Sequence, residues 1–330
     1  MQHVRTARKR SNPATAPGAP LLSVHGRTDY VPYDKRKLSY ANTFPNRWKA
    51  GTIRAVEWTT GKIALLRLIR KFERMGVPEG QAFWSQALDT MGIRVDTPRD
   101  EIARIPAKGP LVIVANHPHG LVDGMVLAAI VGQRRTDYRI LTRSLLTGVA
   151  EVGQYMIPVP FPHEEDALEK NLDMRRAAMA HLAEGGAIVV FPSGVVASAQ
   201  TPFGPAVEAE WNPFTAKMIQ RSGAAVVPVR FMGQNSRLYQ LASLTSATLR
   251  QGLLLHEVVG ALNSPQRPVV GTPITPDEIR QWDGNPRAFM AALREHALGL
   301  QPNDAQEAQS LARASRTTLP KRRLGPAPGL

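Results

Sequence analysis

The chain has 330 residues, of which 43% are hydrophobic, so it can bury one large core or two modest ones. Lysine and arginine number 41 against 27 acidic residues, and the formal charge of +14 favours a partner with an anionic surface, either nucleic acid or lipid. The absence of cysteine excludes disulfides, thiolate metal sites and a cysteine nucleophile.

The two ends of the chain contain few core-forming residues. Residues 1–42 predict a basic, mostly disordered arm, and residues 301–330 predict a similar tail. The N-terminal residues lack the apolar core of a secretory signal, and no window approaches 18 consecutive apolar residues. We therefore expect a protein without a spanning helix, in the cytosol or on the cytosolic face of a membrane.

Residues 43–78 predict an amphipathic helical segment. Between residues 47 and 74, apolar side chains recur at helical spacing while lysines and arginines occupy the other faces. Trp48 and Trp58 add amphipathic rings. Such a segment either lies in a membrane interface or packs on the core with an ordinary charged outer face, and its two glycines weaken the case for one unbroken helix.

Residues 79–300 alternate between strand and helix patterns. A helical stretch at 79–91 comes first. Apolar runs then predict strands at 111–115, 138–142, 187–191, 225–231 and 267–271, with helical patterns at 124–131, 144–152, 166–183 and 213–222. This alternation predicts an α/β domain with a mixed, largely parallel sheet covered by helices.

The stretch LVIVANHPHGLVDG (residues 111–124) is an apolar run that ends in polar side chains, where ligands bind in open α/β sheets. His117 can be a general base that Asp123 holds in one tautomer. His117, His119 and Asp123 also resemble the start of a zinc site in some hydrolases. A zinc site needs further ligands, and the candidates, which form no recognisable cluster, are His163, His181 and His256.

Two later stretches also run from a buried strand into a polar turn. GGAIVVFPSGVVAS (residues 185–198) has a Ser-Gly turn, which can direct a hydroxyl and backbone N–H groups toward an oxyanion. Ser193 is not in a Gly-x-Ser-x-Gly elbow and is not predicted to be a nucleophile. AAVVPVRFMGQNS (residues 224–236) contains Arg230, whose charge must be paired or face a groove.

In this order, ANHPHGLVDG, VFPSGVVAS and VVPVRFMGQNS resemble the conserved blocks of the glycerolipid acyltransferase superfamily. The closest subgroup includes ornithine-lipid O-acyltransferases and hemolysin-like proteins. Its first block has five residues between histidine and aspartate, as between His117 and Asp123. The resemblance covers about residues 80–275, most of the predicted folded part.

The resemblance implies a glycerol-3-phosphate acyltransferase-like fold, with residues 79–300 as the acyltransferase domain. It also implies transfer of a fatty acyl group from a thioester, on acyl carrier protein or coenzyme A, to the hydroxyl of a lyso-lipid, with no metal or other cofactor. His117 would be the general base and Asp123 its orienting partner, while His119 would be a loop or substrate-side residue. Substrate contacts are expected from Asn116, Gly120, Gly124, Phe191, Pro192, Ser193, Gly194, Arg230 and Asn235.

The chain departs from the family pattern in two places; the first bears on the role of the FPSG block and the second on the acceptor. Ser193 and Val195 occupy positions where many members have glutamate, and the region IPVPFPH (157–163) lacks the arginine of enzymes that take phosphate-bearing acceptors. We therefore expect a lyso-aminolipid of lyso-ornithine type, with lysophosphatidic acid as the alternative acceptor. A metal-dependent hydrolase and an inactive membrane-binding protein are the alternatives of another class.

The expected surroundings of the protein follow from its charge and its family. No nucleic-acid motif occurs, and positive charge concentrates in the tails and the first helical segment, so lipid is the expected partner. We expect a peripheral protein on the cytoplasmic face of the inner membrane.

Overall fold

The computed structural model describes residues 32–143, 149–161, 164 and 166–302. Most of the predicted arm and nearly all of the predicted tail lie outside the described residues. Within the arm, Leu38, Tyr40 and Ala41 are buried, and Tyr40–Thr43 form a short 3-10 helix. The folded part therefore begins before residue 43.

The helices are α1 (Arg47–Thr60), α2 (Lys62–Arg74), α3 (Ala82–Thr90), α4 (Arg99–Ala103), α5 (Leu121–Val131), α6 (Ala167–Ala183), α7 (Pro213–Ser222), α8 (Arg237–Thr245), α9 (Ala247–Gly252), α10 (Leu254–Gly260), α11 (Pro276–Ile279) and α12 (Pro286–Gly299). The strands are β1 (Leu111–Ala115), β2 (Tyr138–Thr142), β3 (Met156–Pro158), β4 (Ala187–Val190), β5 (Ser198–Ala199), β6 (Ala206–Val207), β7 (Ala225–Arg230) and β8 (Val269–Val270). Two further 3-10 helices occupy Ala150–Tyr155 and Arg280–Trp282.

Six of the described strands form one sheet in the order β3-β2-β4-β1-β7-β8. Every neighbouring pair is parallel except β7 and β8, which are antiparallel. The remaining two strands, β5 and β6, form a separate antiparallel pair. The predicted mixed, largely parallel α/β sheet is confirmed.

The central strand β1 divides the core into two layers. All five of its residues are fully buried, as expected for a strand covered on both faces. Leu111, Ile113 and Ala115 face the layer built from α1, α3, α5 and α10, whereas Val112 and Val114 face α6, α7 and α12. This alternation follows from the two-residue period of a strand.

The predicted break in the first helical segment falls at Gly61. A Cβ atom there would lie 2.8 Å from the backbone oxygen of Leu255, so only glycine allows α10 to approach so closely. The predicted helix at 144–152 lies partly outside the described residues, and its remainder belongs to the 3-10 helix Ala150–Tyr155.

Candidate active site

The loop between β1 and α5 places the polar residues of the first block at the carboxyl edge of the sheet. It turns into the helix at Gly120, whose φ of +76° is a conformation that favours glycine. Asp123 lies in the first turn of α5, because this helix begins at Leu121 and not at the predicted residue 124. A carboxylate in this position can accept hydrogen bonds from the unpaired N–H groups of the helix start.

Asp123 is completely buried and accepts four hydrogen bonds. Its Oδ2 accepts from His117 Nδ1 (3.1 Å), His119 N (2.8 Å) and Gly120 N (3.1 Å), while its Oδ1 accepts from His119 Nδ1 (2.9 Å). Burial favours the neutral carboxyl, but the charge and hydrogen bonds of the two histidines outweigh it and lower the pKa of Asp123. The side chain is therefore a carboxylate that two imidazoles share.

His117 is held on four sides. Its ring donates to Asp123 and stacks on Phe191, with centroids 4.0 Å apart and an interplanar angle of 26°. Its backbone N–H donates to Glu208 Oε2 (3.1 Å), and its backbone oxygen accepts from Ala197 N (2.9 Å). Nε2 makes no hydrogen bond within the described part of the chain. Because Nδ1 carries the proton given to Asp123, Nε2 of the neutral ring is an acceptor.

His119 is the second histidine that donates to Asp123, and it does not line the cavity beside His117. Its Nε2 faces the next loop, since a Cβ atom on Gly233 would lie 3.0 Å away. Burial disfavours the charged ring, but attraction and a hydrogen bond to Asp123, helped by Glu257, raise the pKa of His119. His119 lies in the loop between β1 and α5, where its ring forms an ion pair with Asp123.

Glu208 is a site residue that the sequence motifs miss. It follows β6 and is buried, and its Oε1 accepts from Trp211 Nε1 (3.1 Å) while its Oε2 accepts from the backbone of His117. Arg294 donates to its backbone oxygen. Glu208 thus ties the β5–β6 hairpin to the loop that carries His117. Its surroundings, AVEAEW, contain no recognisable motif.

A cavity of about 650 Å³ opens beside His117. Six of the predicted substrate-contact or catalytic residues line it, namely His117, Gly120, Gly124, Phe191, Pro192 and Gly194. Much of the remaining wall is apolar and is suited to an acyl chain, with Trp84, Ile140, Leu141, Met156, Met174, Phe214, Tyr239 and Leu254. A second cavity of about 710 Å³ shares Tyr40, Thr142, Arg143, Val159, Phe161 and Met174 with it.

The other four predicted substrate contacts are not among the described residues that line the main cavity. Asn116 exchanges two hydrogen bonds with the backbone of Phe231 (2.9 and 2.7 Å) and so joins the ends of β1 and β7. Arg230 Nη1 donates to the backbone oxygen of Leu300 (2.7 Å), which is a structural role. Asn235 is buried, and its Nδ2 has no hydrogen-bond partner among the described residues.

The fourth predicted substrate contact outside the cavity lining is Ser193, whose Oγ donates to the backbone oxygen of Val195 (3.0 Å). The N–H of Gly194 donates to the backbone oxygen of Phe191 (2.9 Å). Both donors are therefore engaged inside the turn in this structure.

Three arginines line the main cavity: Arg143, Arg175 and Arg250. Arg143 lies over the ring of Phe161 at 5.9 Å, and Arg175 lies over the ring of Phe214 at 4.7 Å. An arginine stacked on an aromatic ring keeps its N–H edges available for a carboxylate or a phosphate. The lack of arginine in residues 157–163 therefore does not leave the cavity without a site for an anion.

No metal cluster is found among residues 32–143, 149–161, 164 and 166–302, where no three histidine or acidic side chains are placed to hold one ion. Both Nδ1 atoms at the site are engaged with Asp123. None of the described helices combines the length and apolar character needed to cross a bilayer.

Comparison with known proteins identifies the class. A family model described as acyltransferase matches residues 44–256, more than half of the chain, so the chain belongs to this acyltransferase family. This confirms the family expected from the three sequence blocks.

Two relatives are lyso-glycine lipid O-acyltransferases. The protein of Phocaeicola vulgatus is 29% identical over 149 residues, covering 44% of this chain and 50% of the relative. That of Bacteroides thetaiotaomicron is 29% identical over 150 residues, covering 44% and 52%. The chain thus spans about half the length of the curated relatives it matches. Among solved structures, the 1-acyl-sn-glycerophosphate (LPA) acyltransferase PlsC from Thermotoga maritima gives a TM-score of 0.43 at 13% identity, covering 82% of this chain and 85% of that one.

Proposed function

We propose that the chain is an O-acyltransferase that moves a fatty acyl group from a thioester to the hydroxyl of a lyso-lipid. The observation that carries this proposal is the orientation of His117, whose Nδ1 is bound to a buried carboxylate and whose ring lines a largely apolar cavity. Membership of the acyltransferase family and the two lyso-glycine lipid O-acyltransferase relatives support it.

In the proposed reaction, Nε2 of His117 takes the proton from the acceptor hydroxyl as its oxygen attacks the thioester carbonyl. Asp123 stabilises the imidazolium that forms. The tetrahedral intermediate expels the thiolate, which receives the proton from His117 and leaves as a thiol. The ester of the lyso-lipid is the second product, and the transfer needs no acyl-enzyme intermediate, in keeping with the absence of cysteine.

For the acceptor we propose a lyso-aminolipid of lyso-ornithine type, whose head group carries a carboxylate. The relatives are named for a lyso-glycine lipid, and the sequence blocks resemble enzymes that acylate lyso-ornithine lipid. An N-acylated amino acid retains its carboxylate, which can pair with an arginine at the cavity. A phosphate fits the same arginines, so lysophosphatidic acid is the acceptor to compare. For the donor we propose acyl carrier protein or coenzyme A carrying the acyl chain.

The proposal includes a peripheral location on the cytoplasmic face of the inner membrane. The outward faces of α1 and α2 support contact with anionic lipid, because their acidic residues are engaged: Glu57 is buried against Ser39, and Glu73 accepts from Tyr33 N. Trp48 in α1 is 88% exposed. The exposed cations of these two helices are Arg47, Lys49, Arg54, Arg67, Arg70, Lys71 and Arg74.

The test is transfer by the purified full chain in detergent micelles. Acyl-CoA and acylated carrier protein are each tested as the donor. Lyso-ornithine lipid, lyso-glycine lipid and lysophosphatidic acid are each tested as the acceptor, and the new ester is detected by mass spectrometry. His117→Ala is expected to lower kcat by about 10²–10⁴-fold. Wild-type turnover that survives this substitution contradicts the base assignment. A preference for lysophosphatidic acid over both aminolipids contradicts the acceptor proposal.

A further inference from the structure

Helix α8 has an apolar surface on its outer side as well as on its inner side. Tyr239, Gln240 and Ala242 are buried against the body of the protein, and Gln240 Oε1 accepts from Ala199 N (2.7 Å) in the β5–β6 hairpin. Leu238, Leu241 and Leu244 point outward at a spacing of three residues and are between 39% and 51% exposed. The inner face therefore anchors the helix, whereas the outer leucines remain partly exposed.

The hairpin extends this apolar surface. Phe203, in the β5–β6 turn, is 87% exposed. Arg237 at the start of α8 donates to the backbone oxygens of Phe203 (3.3 Å) and Gly204 (2.8 Å), which fixes the turn beside the helix. We call Phe203, Leu238, Leu241 and Leu244 the α8 patch. Isolated exposed apolar residues are common, but a group held together on one face marks an interaction site.

The α8 patch adjoins the mouth of the main cavity. Helix α9 follows α8 after Ser246, and its residues Ala247 and Arg250 line the cavity together with His117. Val195, which also lines the cavity, is itself 39% exposed. A surface that covered the patch would therefore lie at the opening through which substrates reach the base.

The charge around the patch favours an anionic partner. No aspartate or glutamate occurs from Trp211 to His256, a stretch that includes Arg237 and Arg250. Helix α9 packs against both α8 and α1, where a Cβ atom on Gly252 would lie 3.0 Å from Val56. Helix α9 thus links α8 to the helix that carries the exposed tryptophans and cations.

We propose that the α8 patch enters the interface of an anionic bilayer and sets the cavity mouth against the lipid. Apolar side chains inserted among cations are the arrangement by which peripheral proteins bind such a surface. The lipid acceptor then passes from the bilayer to His117 without crossing water. This inference rests on the proposed acyl transfer, but vesicle binding tests it separately.

The patch is tested with a double variant of the full chain, Leu241→Glu with Leu244→Glu. Its matched control is Gln133→Glu with Thr136→Glu, which makes the same change in net charge at exposed positions on the opposite edge of the sheet. Sedimentation is measured with vesicles of phosphatidylcholine and phosphatidylglycerol. Transfer is measured on lyso-aminolipid in those vesicles and in detergent micelles, where no bilayer has to be engaged. Circular dichroism checks folding.

The α8 variant is expected to lose vesicle affinity by about tenfold or more relative to the control, with a matching loss of transfer in vesicles and unchanged transfer in micelles. Equal vesicle binding by variant and control overturns the proposal. A change in the oligomeric state of the variant also overturns the proposal, because the patch would then bind a second copy of the chain. A raised KM of the variant for acylated carrier protein in micelles does the same, because the patch would then bind the carrier. If wild type fails to turn over in micelles, the proposed function fails, while vesicle binding still decides the role of the patch.

Discussion

His117 and His119 donate to different oxygens of one buried carboxylate, each through its Nδ1 atom. Only His117 faces the cavity. The charge of Asp123 is therefore divided between the proposed base and a second imidazole.

Replacing His119 by Asn is expected to move the acidic limb of the kcat/KM profile to higher pH. The amide can still donate to Asp123 but carries no charge, so the negative charge of Asp123 would act on His117 alone. The shift is expected to be of the order of one pH unit, and it is measured between pH 5 and 9. His256→Asn, at a partly buried histidine that contacts the backbone of Thr60, is the control. A uniform fall in rate with no shift would indicate a merely structural role.

The same ion pair makes stability depend on pH. Because the pKa of His119 is raised in the folded state, its contribution is complete below the unfolded value of about 6.5 and is lost as pH rises through the folded value. The difference in free energy of unfolding between wild type and His119→Asn is therefore expected to be largest at about pH 6 and to shrink at alkaline pH. Urea titrations at several pH values measure it, and a constant difference would contradict the prediction.

Glu208→Gln is expected to lower kcat about tenfold with little change in KM. Glu208 accepts from His117 N and Trp211 Nε1 through different oxygens, and the amide replaces one oxygen by an NH2 donor, so one buried donor loses its partner. The free energy of unfolding should fall by about 1–3 kcal/mol. Steady-state kinetics and urea unfolding measure the two effects. Glu210→Gln, an exposed position two residues later, is expected to change neither.

Phe191→Leu is expected to lower kcat several-fold, because aliphatic carbons pack on His117 but lose the ring stacking, worth about 0.5–1.5 kcal/mol. Phe191→Tyr keeps a ring against the imidazole and should retain most of the activity. The two variants are compared in micelles at saturating donor. If tyrosine and leucine impair kcat equally, the stacked geometry is not what positions the base.

Arg175→Gln and Arg250→Gln are each expected to raise the KM for an anionic acceptor by about tenfold and to leave kcat nearly unchanged. Both side chains line the cavity. Arg176→Gln is the control on the same helix, since Arg176 pairs with Asp173 at 3.1 Å and is not among the residues lining the cavity. Acceptor titrations test this, and an equal effect of all three substitutions would argue against a specific anion site.

The long, local features of the fold could be predicted from the sequence. Strands β1 and β2 and helix α7 have the predicted bounds, because an apolar run between turn residues, or a helical pattern after Asn212 and Pro213, specifies its own ends. Strands β3 and β8 have three and two residues. Such short segments carry too little pattern: β3 is missed, and β8 is shorter than predicted.

Part of the candidate site could likewise be predicted from the sequence, and part could not. His117 and Asp123 belong to one loop, so their spacing alone indicates the pair. Glu208 reaches that loop only because the β5–β6 hairpin docks there, and Arg143 reaches the cavity because β2 lies beside β3. Their positions depend on tertiary contacts, which no local pattern contains. The same holds for Arg230, whose carbonyl partner at Leu300 lies 70 residues along the chain.

The hydrogen bond from His117 N to Glu208 also has a consequence for biosynthesis. His117 is translated well before the residue that fixes its main chain, since 91 positions separate them. A nascent chain that has exposed only the first block therefore has an unanchored histidine. The main chain of His117 can be fixed only late in synthesis, after the β5–β6 hairpin has emerged from the ribosome and docked.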